Sequence, residues 1–339
     1  MNIARNLLFV LLAAIACCAQ QPEFKETLVA PVDSHITPYK KPLVCPTGVI
    51  RIFGAETMAA ITLKWTQDFA AVCPGVRFEV KSGALDVMPA LLDGSSDMAP
   101  LAREPLRTEE AAFEKKFGYK PFGIEVGGGA FREQHMSPTL VMFVNEANPI
   151  SRLTLAQLAD AIGDGSHPVR TWGELGAQGE YKDAPINFYT VEPPNGIPHY
   201  LELKTLGRRG FRSDARIMHT KQTTPVMEME AQAPVDDRFG LSYSYLSFQK
   251  PHTKALALAD RPGAPFVFPT FETVLDRTYP LSRPIYIWIR KSPGEKLPPA
   301  ELEFFRFVLS REGQQDFAKE GVLLPLPAPI VRRELRKLQ

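Results

Sequence analysis

The stretch VIRIFGAETMAAITLKWTQDFAAVCPGVRFEV, Val49–Val80, decides how the rest of the chain reads. Val49, Ile50 and Ile52 begin an apolar strand that breaks at Gly54. Beyond that turn Met58, Ile61, Trp65, Phe69 and Val72 recur at helical spacing, so one face of a helix is apolar and must be covered. After Pro74-Gly75 a second strand begins at Val76. A strand, a helix and a strand in so short a span form a crossover unit, and the crossover makes the two strands parallel. The fold opens as α/β.

The alternation continues. DVMPALLDG reads as a helix, DMAPLA as a short strand and TEEAAFEKKFG as another helix. TLVMFVNEANPI (Thr139–Ile150) is a strand leaving a first lobe, TLAQLADAIGDG (Thr154–Gly165) begins new helical structure, and PINFYTVE starts a second βα unit. PIYIWIRK (Pro284–Lys291) is the other long apolar strand, and these two long strands are read as the connections between lobes. The tail, PAELEFFRFVLSREGQQDFAKEGVLLPLP, reads as two helices broken at Gly313 and stopped at Gly321. Such alternation implies mainly parallel sheets flanked by helices. A length of 339 residues suits two lobes of ordinary size.

Composition is that of a globular chain, 45% apolar and 23% charged, and a formal charge of +1 gives neither a nucleic-acid nor a membrane-surface signal. The 31 prolines are spread widely, which suggests rigid loops. At the start, MNIARNLLFVLLAAIACC carries one arginine, an apolar run from Leu7 to Ile15 and then small residues, the pattern of an export signal over residues 1–19. Its end reads two ways. Cys17 suits lipidation, which would hold the chain at a membrane face without a spanning helix; Ala19-Gln20 suits simple cleavage. Residues 20–45, polar and proline-punctuated, read as a tether ahead of the fold that can lie on its surface. Cys45 precedes the first strand and Cys73 ends the helix after it. The helix end returns to the strand start, so the two sulfurs are placed to bond, and an exported protein can keep the bond. Two buried thiols are the other reading.

The stretch NFYTVEPPNGIPHYLELKTL, Asn187–Leu206, holds a strand, a turn at Asn195-Gly196 and a helix opening at Pro198. Unpaired amides at a helix start, together with the helix dipole, favour an anion. Yet this turn offers Glu192, two prolines and Ile197 instead of hydroxyls and a cation.

Four segments resemble the phosphate-binding proteins of ABC transporters, within the type II periplasmic binding proteins. They are IRIFGAETMAAITLKW, PALLDGSSDMAPLAREP, GLSYSYL and, most specific, LEFFRFVLSREGQQDFAKEGVLLPLP. The resemblance spans about residues 48–330. It implies the two-lobed periplasmic-binding-protein type II fold with a hinge, residues 46–140 plus 285–339 forming one lobe and 141–284 the other. It further implies a monomer, an ABC permease as partner, and a small anion gripped in the cleft as the lobes close. Each hydrogen bond to that ion must offset its desolvation.

Loop by loop, the family pattern is thinned. Thr57 stands where the family's ligand threonine stands, with the Met58 amide next to it; Thr57 also reads as a helix N-cap. In the second loop Ala84 matches the expected serine, with Ser82 and Gly83 just before it. In the third, Ala102 replaces a serine or an acidic residue; Arg103 remains, either for an anion or to pair with Glu104 or Glu56. In the fourth, Val191, Asn195 and Ile197 fall at the family's Arg, Ser and Thr, and only Gly196 is kept. Glu192 adds a negative charge beside the pocket, which at ~4 Å would cost roughly 4 kcal/mol at an effective dielectric near 20. Each lost charge-assisted hydrogen bond costs about 1.5–3 kcal/mol, against about 8 kcal/mol for a micromolar complex.

Nothing else in the chain suggests catalysis, a cofactor or a metal. The six histidines are far apart, and His199, one turn into the helix after Gly196, is the one near the expected cleft. VGGGAF (Val126–Phe131) lacks a P-loop lysine and reads as a loop near the hinge. The resulting expectation is an exported solute-binding protein, periplasmic or an outer-face lipoprotein, with weakened or altered phosphate affinity. The alternative is an interaction or sensory module that keeps the fold without transport.

Overall fold

The computed structural model describes residues 29–84, 86–131, 137–166, 168–207, 209–219 and 223–339. The export signal with Cys17, the first part of the tether, His135 and His167 lie outside the described residues.

The crossover unit forms as β1 (Gly48–Ala55), α1 (Ala59–Val72) and β2 (Val76–Gly83), with Gly48 to Ala55 registered in parallel on Val76 to Gly83. After it come α2 (Val87–Asp93), β3 (Met98–Leu101), α3 (Arg107–Phe117) and β4 (Phe122–Gly128). The chain then passes to β5 (Leu140–Asn145), β6 (Arg152–Thr154), α4 (Leu155–Ile162), β7 (Asn187–Val191), α5 (Gly196–Thr205) and β8 (Arg216–Met218). Next are α6 (Thr223–Asp236), β9 (Gly240–Tyr245), β10 (Thr253–Ala255), β11 (Ala257–Ala259) and α7 (Phe271–Leu275). It returns as β12 (Pro284–Ile289) and ends in α8 (Pro299–Val308), α9 (Arg311–Glu320) and α10 (Ala328–Lys337).

Two five-stranded sheets result, in the orders β2-β1-β3-β12-β4 and β10-β5-β9-β7-β8. Each anchors its own lobe. Pairing is mixed where the sequence suggested mainly parallel strands: β12 runs antiparallel to β3 and β4, and β5 antiparallel to β9 and β10. The reason is the route. These two strands arrive from the other lobe, so they enter their sheets at the end where the parallel strands finish.

The apolar face of α1 is covered as its spacing requires. Met58, Ile61, Trp65 and Phe69 are no more than 1% exposed, while Val72 is half-buried. Full burial of a side chain such as Ile61 or Phe69 contributes about 1.5–3 kcal/mol. The Trp65 indole donates to the carbonyl of Gly313 at 2.8 Å and meets Phe317 edge-on at 5.1 Å, locking α1 to α9. The second lobe gathers Leu158, Trp172, Phe188 and Tyr243 around its sheet.

Three local expectations change. Val126–Gly128 is the end of strand β4, because the ring of Phe317 lies against it: a Cβ on Gly127 would come within 2.3 Å of that ring. The C-terminal helices break at Leu309-Ser310, three residues before Gly313, since the Ser310 hydroxyl caps α9 by accepting from the Gly313 amide. A further helix, α10, follows; its buried Glu334 accepts from the Glu125 amide and pairs with Lys337 at 2.6 Å. Residues 29–47 dock on the first lobe: Ile36 is 1% exposed, the Ala328 amide donates to Asp33, and the Tyr39 hydroxyl donates to Glu303. Cys45 and Cys73 form a disulfide, with Cα atoms 5.4 Å apart, that fastens this arm to the end of α1. A closed loop of that size stabilises by about 3–4 kcal/mol in the chain-entropy account.

Glu230 on α6 is wholly buried, and among the described residues neither carboxyl oxygen has a hydrogen-bond partner at normal geometry. Burial raises its pKa well above the ordinary value of 4.5, with the Tyr243 backbone opposing weakly. The folded state therefore keeps a proton that the unfolded chain releases, so stability is full below pH 4.5 and falls as pH rises toward the folded pKa. Glu230→Met should raise stability at pH 7 by about 1–3 kcal/mol, the usual cost of an unsatisfied buried polar group. It should also flatten the decline above pH 4.5; urea titrations with an unchanged slope against pH would count against this assignment.

Candidate functional site

In each sheet the parallel strands end toward the gap between lobes. The register of β1 on β2 sets Gly54 opposite Ser82 and Ala55 opposite Gly83, so the turns holding Thr57 and Ser82 leave the same sheet edge. The loop after β3 carries Arg103 to that edge, and the loop after β7 brings Asn195 and Gly196 from the second lobe. Contact across the gap is direct: a Cβ built on Gly196 would lie 3.1 Å from Cδ of Arg103. The carboxyl ends of strands are where open α/β sheets place ligands.

The individual groups stand as follows. Thr57 lies in a 3-10 turn, Glu56–Met58, half-buried, and its hydroxyl has no hydrogen bond among the described residues. It is not the N-cap; that position is Met58 for α1 and Ala55 for the turn. The Met58 side chain is core, leaving only its amide for a ligand. Ser82 is exposed on the edge strand β2, and Gly83 closes on the ring of Phe53. Arg103 pairs with neither Glu104 nor Glu56 through its side chains. Its guanidinium makes a two-point bridge to Glu109, both at 2.7 Å, and donates to the backbone carbonyl of Glu104.

The fourth loop is the most altered. Asn195 caps its own helix, its Oδ1 accepting from the Ile197 amide at 2.9 Å, and its carbonyl takes the His199 amide. Pro198 has no N–H. Of the first four residues of α5, only Gly196 keeps an amide for a ligand. Val191 is 2% exposed and Ile197 6%, both packed in the second lobe's core, so neither side chain is placed to meet a ligand. Glu192 does not face the pocket: it is half exposed and meets His219 at 3.1 Å, because the residue after β7 turns outward. Its repulsion is accordingly screened by solvent.

Sequence reasoning missed the groups that join the lobes. His199 Nε2 lies 2.9 Å from the Pro105 carbonyl, which can only accept, so this nitrogen carries the proton. Arg107 bridges to Glu202 at 2.9 Å. Spacing held a hint, since positions 199 and 202 share a helix face. Beside these contacts Arg107, Pro193, Asn195, His199 and Phe211 line a crevice of about 390 Å³. The Tyr200 hydroxyl donates to the Ser282 carbonyl, and burial raises its pKa while Arg283, 4.4 Å over its ring, opposes.

A family model described as a PBP superfamily domain matches residues 41–312. The phosphate-binding protein PstS of Pseudomonas aeruginosa is 29% identical over 316 residues, covering 91% of this chain and 93% of that protein. Protein SphX of Synechococcus elongatus is 27% identical over 306 residues, covering 88% and 84%. Among solved structures, an ABC-type phosphate transport receptor from Vibrio cholerae aligns with a TM-score of 0.50 at 18% identity, over 82% of this chain and 100% of that one. PstS from Borrelia burgdorferi aligns with a TM-score of 0.50 at 17% identity, over 83% and 99%. At such identity the structural likeness speaks to the fold.

Removing both interlobe ties, His199→Ala with Glu202→Ala, deletes one buried hydrogen bond and one half-exposed ion pair. The lobe contact should weaken by roughly 1–2 kcal/mol. Small-angle scattering should then report a larger radius of gyration than for the parent; an unchanged radius would mean that other contacts hold the lobes together.

Proposed function

The chain belongs to the PBP superfamily, and from that premise we propose that it is an exported solute-binding protein serving an ABC permease, with phosphate affinity well below that of a dedicated phosphate binder. The full-length kinship to PstS supports the transport role. The reduced affinity rests on one observation: Arg103, the cation kept from the family's loops, is already neutralised by Glu109 across two short bonds. An incoming anion must compete with that carboxylate. It meets a helix start with one amide left, that of Gly196, and it gains no hydroxyl at Ile197 and no guanidinium at Val191. Three missing charge-assisted bonds at about 1.5–3 kcal/mol each remove most of the roughly 8 kcal/mol that a micromolar complex needs.

The second reading, an interaction module without transport, is supported by direct protein contacts between the lobes, His199 to Pro105 and Arg107 to Glu202.

Calorimetric titration of the mature, disulfide-bonded protein with potassium phosphate tests the proposal. Dissociation constants near or above about 1 mM are expected. Glu109→Gln, which frees the Arg103 guanidinium, should tighten phosphate binding by roughly tenfold, about 1.4 kcal/mol. Micromolar binding by the parent would overturn the reduced affinity, and no change in Glu109→Gln would show that Arg103 takes no part.

A further inference from the structure

On the hinge side of α5 lies a second interlobe cavity, of about 720 Å³, large enough for a small metabolite. Its floor includes Glu125, whose carboxylate is saturated by Arg277 at 3.2 Å and Arg333 at 2.5 Å. Of the other lining carboxylates, Asp260 is exposed and Glu104 is half-buried. Glu104 makes no side-chain hydrogen bond or ion pair among the described residues, and its Oε2 is buried without a partner. Tyr286 lines the wall nearby, and burial, followed by the charge of Glu104, pushes its phenol above the usual range. The buried Tyr279 hydroxyl also lacks a partner. Lys204 and Asp260 stand on the second lobe's side, neither in an ion pair among the described residues.

We infer that this cavity, and not the outer loop crevice, takes the solute, and that the solute is a small molecule bearing a primary ammonium group held by Glu104. The inference rests on the solute-binding reading above and names its ligand class. A buried carboxylate oxygen without a donor calls for one, and a charged donor satisfies both its hydrogen-bonding and its electrostatic demand. The same carboxylate opposes anions. An ammonium group also suits the aromatic wall offered by Tyr286. With Lys204 across the cavity, a solute that carries a carboxylate as well as the ammonium can engage both ends; a diamine can engage Glu104 and Asp260 instead.

The test is calorimetric titration of the mature protein with putrescine, L-lysine and potassium phosphate in parallel. At least one amine should bind more tightly than phosphate, and the preferred one tells whether the far end is read by Asp260 or by Lys204. Glu104→Gln should cut amine affinity tenfold or more while leaving the melting temperature at or above the parent's, since the carboxylate makes no hydrogen bond or ion pair among the described residues. Silence with both amines, or equal affinity in Glu104→Gln, overturns the inference. Micromolar phosphate binding would overturn the reduced-affinity reading whatever the amines do, so the two failures are distinguishable.

Discussion

The double passage of the chain between two sheets governs everything else in this molecule. Because β5 and β12 each enter a sheet from the other lobe, they run against their parallel neighbours, and those neighbours must all finish at the gap. The turns after β1, β2, β3 and β7 therefore open on one space without any further instruction. Polar groups buried at this junction reinforce it. Glu125 of β4 is held by Arg277 from the returning segment and by Arg333 of α10, and Arg277 also donates to the carbonyls of Gly127 and Arg283. Partners on both oxygens offset the cost of burying that charge.

Inside that frame the loops at the gap spend much of their polar chemistry on the protein itself. The turn at Asn195-Gly196 still starts a helix beside the cleft, but the asparagine serves the helix, and Val191 and Ile197 serve the core. Arg103 still reaches the gap, yet Glu109, in the first turn of α3, holds it in a fork that matches carboxylate geometry. Folding requires the turn and the packing and does not require the ligand donors. A scaffold can persist while its original grip is reassigned, which is why fold alone never settles function.

Glu125 at the hinge is matched by two arginines, whereas among the described residues the buried Glu104 Oε2 in the interlobe cavity and the Nε of the nearby Arg283 stand without a hydrogen-bond partner. The direct lobe contacts through His199 and Arg107 show a second use of cleft residues, joining the halves by protein groups.

Much of this was legible in the sequence wherever a local rule was enough. Helical spacing marked the buried face of α1, the strand–helix–strand run fixed a parallel pair, and the positions of Cys45 and Cys73 on that unit allowed the bond they form. The partner of Arg103 was not legible, because Glu104, Glu56 and Glu109 are equally acidic on paper and only the path of the loop selects among them. Nor was the outward turn of Glu192, or the role of the glycines at 127 and 128, which read as slack in the chain and serve close packing under Phe317 and Arg277. By itself the sequence determined which segments become strands and helices and which faces they must hide, since periodicity and turn chemistry act over a few residues. Only the tertiary structure decided which charges are matched, because ion pairing depends on groups that meet in space from distant parts of the chain.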